Sequence, residues 1–182
     1  MSTIILASQS PRRQQLLAEM GIQFIVQQAD IDETPPANSN AYEVPQLLAQ
    51  KKAEKIASTQ EDAIIIAADT VVIIDHIILN KPKDREDAKK MLQRLSGNMH
   101  EVVTGVCIHK KEEVSVFSVI TKVYFKPLSE AVIDFYIDTY KPFDKAGAYG
   151  IQDWIGIIGI EKIEGDYYNV MGLPTAKLYD YL

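Results

Sequence analysis

The chain has 182 residues, of which 47% are hydrophobic, so it is long enough to bury a core of ordinary domain size. Its 19 basic and 25 acidic residues give a formal net charge of −6, which argues against nucleic-acid and membrane-surface binders, because both need a basic face. One cysteine excludes a disulfide framework. The first residues do not resemble a secretion signal and no apolar run approaches membrane length, so we expect a single cytoplasmic domain over residues 1–182.

The first predicted elements end in a cluster of positive charge. A short strand over residues 3–7 leads to a helix that Ser10 caps and Pro11 begins. Arg12 and Arg13 lie in the first helical turn, where positive charge opposes the helix dipole. A bound anion would explain them, because phosphate often sits at a helix N-terminus. The alternative is two solvated arginines on a surface helix.

The next two segments each offer a charged side chain to a ligand. After a strand over residues 24–27, the acidic turn at residues 30–33 includes Glu33. Such carboxylates usually face solvent, although one could supply oxygen to a divalent cation. In the helix predicted over residues 42–57, Lys52 borders the apolar face and is the lysine best placed to point inward. Snorkelling of its ammonium to solvent is the alternative.

The stretch from Ile64 to Ile74 is a continuous apolar and β-branched run that only Asp69 and Thr70 interrupt. Such a run predicts a strand buried on both faces. A carboxylate there is costly unless it is paired, bound to metal or used in chemistry. The stretch is equally compatible with a strand that ends at Ala68 and an ordinary turn at Asp69.

The remaining elements complete a mixed fold. A hairpin turn before a strand over residues 77–79 would bring Lys81 back toward Asp69 and Thr70. Further on we expect a helix from residue 84, strands over 101–109 and 114–125, and a helix over 129–140. A glycine-rich loop over 142–152, a strand over 155–163 and a short C-terminal helix follow. This order predicts a mixed, twisted α/β sheet with helices on its faces and a ligand cleft between two lobes.

Eight short motifs, spread over essentially the whole chain, resemble those of one known family in order and spacing. They are Leu6–Arg13, Asp32–Thr34, Leu48–Ala53, Ala68–Val72, Leu79–Pro82, Leu95–Gly97, Asp144–Gln152 and Gly172–Pro174. They are similar to the motifs of the Maf family, the septum-formation-inhibitor-like nucleoside triphosphate pyrophosphatases. The resemblance implies the fold of inosine triphosphate pyrophosphatases, a homodimer, and hydrolysis of dTTP and UTP to the monophosphate and pyrophosphate. It also implies Mg²⁺ or Mn²⁺ as cofactor and allows a house-cleaning role on modified pyrimidine triphosphates.

The resemblance also implies a role for each site residue. Asp69 would be the general base that takes a proton from the attacking water, and Glu33 and Asp69 would hold the metal. The substrate-binding residues would be Arg12, Thr70 and Gln152 for base selection, and Ser8, Arg13, Lys52 and Lys81 for the phosphates. Two departures from the family pattern stand near these residues. The family often has Gly-Glu-Pro where this chain has residues 140–142, Tyr-Lys-Pro, and usually has glycine at the position of Asp153.

The residue types fit this chemistry independently of the resemblance. A triphosphate carries several negative charges, so its site needs fixed cations and a metal rather than a covalent nucleophile. The three histidines lack metal-ligand spacing, and carboxylates without histidine suit a hard cation such as Mg²⁺. The competing hypothesis is a non-catalytic nucleotide-binding regulator of cell division, which would act through a protein partner and would release no pyrophosphate.

Overall fold

The computed structural model of the protein describes residues 3–36, 39–60, 62–111 and 113–182. The strands are β1 (Ile4–Leu6), β2 (Ile25–Val26), β3 (Ile64–Ile74), β4 (Ile77–Leu79), β5 (Met99–Lys110), β6 (Glu113–Phe125) and β7 (Ile160–Glu164). The helices are α1 (Pro11–Glu19), α2 (Val44–Ala57), α3 (Arg85–Leu95), α4 (Glu130–Tyr140), α5 (Trp154–Gly159), α6 (Tyr167–Met171) and α7 (Thr175–Tyr179), with a 3₁₀ turn at Ala146–Ala148.

The described strands form one seven-stranded sheet with the order β2-β1-β3-β5-β6-β7, and β4 pairs with β3 outside this path. Strand β1 is parallel to both β2 and β3, whereas β4 is antiparallel to β3 and β7 is antiparallel to β6. The sheet therefore contains both parallel pairs, at its β2-β1-β3 end, and antiparallel pairs, so it is mixed. The predicted mixed α/β class is therefore confirmed, while the ligand cleft stays a prediction.

Strand β3 contains the predicted apolar run over its full length. Its residues are buried except Ile64, Asp69 and Thr70, which are half-buried. The strand continues past Ala68 to Ile74, so Asp69 lies inside a strand and not in a turn. Residues on both faces are buried because helices or loops cover both sides of the sheet here, as the absence of alternation in the sequence predicts.

The strand predicted over residues 155–163 is wrong in its first half. Residues Trp154–Gly159 form α5, and only Ile160–Glu164 form a strand. Ile155 and Gly159, four residues apart, are buried, whereas Ile157 between them is 78% exposed. Burial at that spacing is helical, and a short apolar run does not distinguish a buried helix from a strand. Helix α6 was likewise not predicted from the sequence.

The chain divides into two compact units. The first comprises residues 1–70, 104–119 and 172–182, and the second comprises residues 71–103 and 120–171. Each has its own buried apolar cluster, the first around Ile65 and Ala53 and the second around Leu92, Ile133 and Ile155. The expectation of a single domain over residues 1–182 stays a prediction. Among the helices of the described residues, none is both long and apolar enough to cross a membrane.

Candidate active site

In the first unit, Asp69 is bound to a buried lysine. The Nζ atom of Lys52 lies 2.7 Å from Oδ1 of Asp69 and 2.8 Å from Oε1 of Glu33. Lys52 is only 8% exposed, so its side chain points into the protein and not to solvent. One ammonium group thus joins a carboxylate from the middle of β3 to a carboxylate from the acidic turn before α2.

Close packing of α2 against the sheet brings Lys52 to β3. Ala49 and Ala53 on the inward face of α2 are fully buried, and their small side chains permit a short distance between the helix and the strands. At the start of the helix, a Cβ added to Gly105 of β5 would lie 2.3 Å from the backbone nitrogen of Gln46. Any side chain at this glycine would therefore displace the helix that carries Lys52.

The Arg13 guanidinium is held by three acceptors in the same unit. Its Nε donates to the carbonyl oxygen of Gly172 (2.7 Å), its Nη1 to Oγ of Ser8 (3.2 Å) and its Nη2 to Oγ1 of Thr70 (2.9 Å). Burial lowers the pKa of Arg13, and the negative charge of Asp69 opposes this by raising it. Arg13 is thus a fixed, half-buried cation in the electrostatic field of Asp69.

The hydroxyl of Thr70 takes part in this arrangement from the centre of β3. Its Oγ1 lies 2.9 Å from Oγ1 of Thr104 as well as 2.9 Å from Nη2 of Arg13. A hydroxyl that accepts from a guanidinium can still donate its own proton to a second hydroxyl. Thr70 therefore orients Arg13, and its predicted role in base selection stays a prediction.

Thr104 was not predicted as a site residue. It is fully buried in β5, between Val103 and Gly105. The signal was available in the sequence, because a lone hydroxyl in an apolar strand needs a hydrogen-bond partner, as Asp69 does in β3. What the sequence could not supply was the identity of that partner.

The N-terminus of α1 has the predicted form with one difference. Ser10 occupies the N-cap position, but within the described part of the chain its hydroxyl makes no capping hydrogen bond. Instead, the backbone N–H of Ser10 donates to Oγ of Ser8 at 3.3 Å. The Ser10 hydroxyl thus does not cap the first-turn N–H groups beside Arg12 and Arg13. These N–H groups form the positive end of the helix dipole, where binding of an anion is favoured.

Six of the nine predicted site residues contact one another in the first unit. They form two groups, which are Ser8, Arg13 and Thr70 on one side and Glu33, Lys52 and Asp69 on the other. Arg12 belongs to the same unit and is next to Arg13 in α1. Lys81 and Gln152 belong to the second unit.

Gln152 lies in the loop between the 3₁₀ turn and α5. Its Oε1 is buried and has no hydrogen-bond partner among the described residues. A Cβ added to Gly150 would lie 2.7 Å from its Nε2, so the amide packs directly on the bare Cα of that glycine. A buried amide oxygen without a donor is unfavourable by about 1–3 kcal/mol, and a donor from a ligand would remove that cost.

Glu33 and Asp69 are the carboxylates beside Lys52 that would contribute oxygen ligands to a divalent cation. In the part of the chain that the structure describes, no group of three or more His, Cys, Asp and Glu side chains could hold a metal alone. Glu33 and Asp69 nevertheless place two carboxylate oxygens within 2.8 Å of one atom, Nζ of Lys52. Two carboxylates together with phosphate oxygens and water form the coordination that Mg²⁺ prefers in nucleotide sites.

Comparisons with known proteins find relatives of this chain over nearly its whole length. The Staphylococcus aureus Ham1 protein is a similar solved structure, with a TM-score of 0.47 and 18% identity over 68% of this chain and 72% of that one. The dTTP/UTP pyrophosphatase of Cytophaga hutchinsonii is 52% identical over 179 residues, which are 98% of this chain and 82% of the relative. That of Porphyromonas gingivalis W83 is 52% identical over 184 residues, with coverage of 98% and 92%. The family described as Maf-like protein matches residues 3–182, and the chain therefore belongs to the Maf family.

Proposed function

We propose that this protein is a nucleoside triphosphate pyrophosphatase that hydrolyses dTTP and UTP to the monophosphate and pyrophosphate. Relatives that are 52% identical over nearly the whole chain bear the name dTTP/UTP pyrophosphatase, which favours an enzyme over a non-catalytic regulator. The observation that carries the proposal is the position of Asp69, inside a buried strand and bound to a buried lysine, with Arg13 nearby. Carboxylate and cations together suit water attack on a polyanion.

Asp69 is the proposed general base. Lys52 holds its Oδ1, which fixes the plane of the carboxylate and leaves Oδ2 to accept a proton from water at the α-phosphorus. The negative charge that develops on the phosphates is met by cations that are already in place, so little reorganisation is needed during the reaction. No covalent intermediate is required.

Arg13 is the proposed anchor for the phosphates, together with Ser8, Lys52 and Lys81. Within the described residues, three of the five guanidinium N–H groups of Arg13 donate to Gly172, Ser8 and Thr70, so two remain to donate to a phosphate oxygen. Because the side chain is already fixed, binding loses little rotamer entropy there. A charge-assisted hydrogen bond to phosphate is about twice as strong as a neutral one.

Glu33 and Asp69 are the proposed ligands of Mg²⁺ or Mn²⁺. A bound divalent cation would supply charge neutralisation of the triphosphate and polarisation of its phosphate oxygens. Lys52 contacts both carboxylates, so it maintains their positions and keeps their mutual repulsion low.

A hydrolysis panel tests the proposal. Purified protein is incubated with dTTP, UTP, CTP, dATP, GTP and modified pyrimidine triphosphates, and monophosphate, pyrophosphate and orthophosphate are measured. We expect the highest kcat/KM for dTTP and UTP, equal amounts of monophosphate and pyrophosphate, and loss of activity with a chelator that Mg²⁺ or Mn²⁺ restores. Release of orthophosphate with diphosphate would contradict cleavage between the α and β phosphates, and nucleotide binding without hydrolysis would support the regulator.

We expect Gln152→Ala to lower the kcat/KM ratio of UTP over CTP by about tenfold, since an unsatisfied buried group costs about 1–3 kcal/mol. The amide can both donate and accept, which matches the imide edge of uracil and thymine, whereas cytosine presents an amino group in place of one carbonyl. Gln93→Ala, at an exposed glutamine of α3 in the same unit, is the control. If the ratio does not change in Gln152→Ala, base selection does not depend on this amide.

A further inference from the structure

A single tyrosine of α4 ties together both ends of the segment that carries Gln152. The hydroxyl of Tyr136 donates to Oδ2 of Asp153 at 2.7 Å and accepts from the backbone N–H of Gly150 at 3.2 Å. The backbone N–H of Asp153 also donates to the carbonyl oxygen of Gly150 at 3.1 Å. The segment from Gly150 to Asp153 is therefore a turn whose ends are joined both directly and through the phenol.

Asp153 uses its carboxylate in an unusual way for its position. It is the N-cap residue of α5, where an aspartate normally accepts hydrogen bonds from the N–H groups of the first helical turn. Among the described residues this capping bond is not made, and the carboxylate instead accepts from Tyr136. The Nζ atom of Lys145 lies 3.9 Å from the same Oδ2.

Tyr136 is a dependable donor for this bond. Its ring is fully buried in the apolar cluster of the second unit. Burial raises the pKa of Tyr136 far above its usual value, and the hydrogen bond to Asp153 raises it further. The phenol is therefore protonated at neutral pH, and the burial of its ring among apolar neighbours fixes its position.

The orientation of Gln152 depends on this turn. An ideal Cβ at Gly150 would lie 2.7 Å from Nε2 of Gln152 and 2.8 Å from Oδ2 of Asp153, so both side-chain ends converge on the same bare Cα. Since Oε1 of Gln152 has no partner in the described residues, the backbone of the turn, and not a hydrogen bond to that oxygen, holds the amide in place.

We propose that Tyr136 and Asp153 are positioning residues that set the orientation of the Gln152 amide and thereby the discrimination between uracil and cytosine nucleotides. The inference rests on the proposed role of Gln152 in base selection. It gives a function to the carboxylate at residue 153, because a glycine at that position would leave Tyr136 without this acceptor.

The test compares Tyr136→Phe with Tyr149→Phe. The first variant removes the hydroxyl and keeps the ring, and we expect its UTP over CTP ratio of kcat/KM to fall about three- to tenfold, while kcat for UTP stays within about twofold of the original enzyme. Tyr149→Phe removes another buried hydroxyl of the same unit, which is bound to His100 at 2.7 Å, and should leave the ratio unchanged. Asp153→Asn keeps an acceptor and should retain most of the ratio, whereas Asp153→Gly should behave as Tyr136→Phe.

A double-mutant cycle separates the two proposals. In a Gln152→Ala background, Tyr136→Phe should cause no further change in the ratio. The amide that Tyr136 orients is then already absent. A ratio altered by Gln152→Ala but not by Tyr136→Phe would overturn the positioning role alone, even if Tyr136→Phe lowers the melting temperature. Independent, additive effects would also overturn it. An unchanged ratio in Gln152→Ala would overturn base selection by Gln152, and this inference with it.

Discussion

We expect Asp69→Asn to reduce hydrolysis of dTTP and UTP by about 10²–10⁴-fold, the usual effect of losing a general base. The amide oxygen of asparagine can still accept the hydrogen bond that Lys52 donates to Oδ1, so the strand and its neighbours should keep their positions. What is lost is the negative charge, which accepts the proton of water and contributes to the proposed metal site. The measurement is kcat/KM for dTTP and UTP at saturating Mg²⁺, with thermal unfolding as the check on the fold.

The control for this result is Asp62→Asn. Asp62 lies in the same unit, and its side chain is 94% exposed, so the same chemical change there should leave activity unaltered. Asp69→Asn activity within a few-fold of the original enzyme would show that another group accepts the proton. A low activity accompanied by loss of cooperative unfolding would assign Asp69 to stability and not to catalysis.

Lys52→Ala should lower kcat by about 10²–10³-fold, the range found when a preorganised electrostatic contact is removed. The change removes the cation that contacts both Asp69 and Glu33. Lys51→Ala is the matched control, because Lys51 is exposed and precedes Lys52 on the same helix. The measurement is kcat and KM for dTTP with both variants at equal Mg²⁺ concentration.

A second variant distinguishes charge from packing at this position. Lys52→Met keeps most of the methylene stem against the buried face of α2 and removes only the ammonium group. It should lose as much activity as Lys52→Ala while unfolding at a higher temperature. If Lys52→Ala and Lys51→Ala have the same activity, the buried ammonium is a structural ion pair with no part in turnover.

The apolar run of β3 and the apolar face of α2 could be predicted from the sequence because both patterns are local. Eleven residues from Ile64 to Ile74 carry only two polar side chains, so a buried strand follows from composition, whereas its continuation past Ala68 was left open by the sequence. The position of Lys52 beside the apolar stripe follows from helical periodicity. That its ammonium meets Asp69 and Glu33 does not follow, because the identity of a partner depends on how distant segments pack.

Other contacts between distant segments could not be predicted from the sequence for the same physical reason. The bond from Arg13 to the carbonyl of Gly172 joins residues 159 positions apart, and no local pattern encodes it. In the sequence, Tyr136 is one aromatic residue of a predicted helix. The hydrogen bonds of its hydroxyl to Asp153 and Gly150 could not be predicted from its position there. The error at α5 has another origin, because isoleucine and tryptophan favour strands by propensity, and tertiary packing overrode that preference.

The contact between Arg13 and Gly172 sets an order of events during synthesis of the chain. During translation Arg13 is synthesised early. The carbonyl group of Gly172, which completes its set of acceptors, lies 159 residues further along the chain and is synthesised late. Until then the guanidinium of a growing chain is without one of the three groups that fix it. The three acceptors of Arg13 are therefore complete only when the C-terminal segment has folded back to α1.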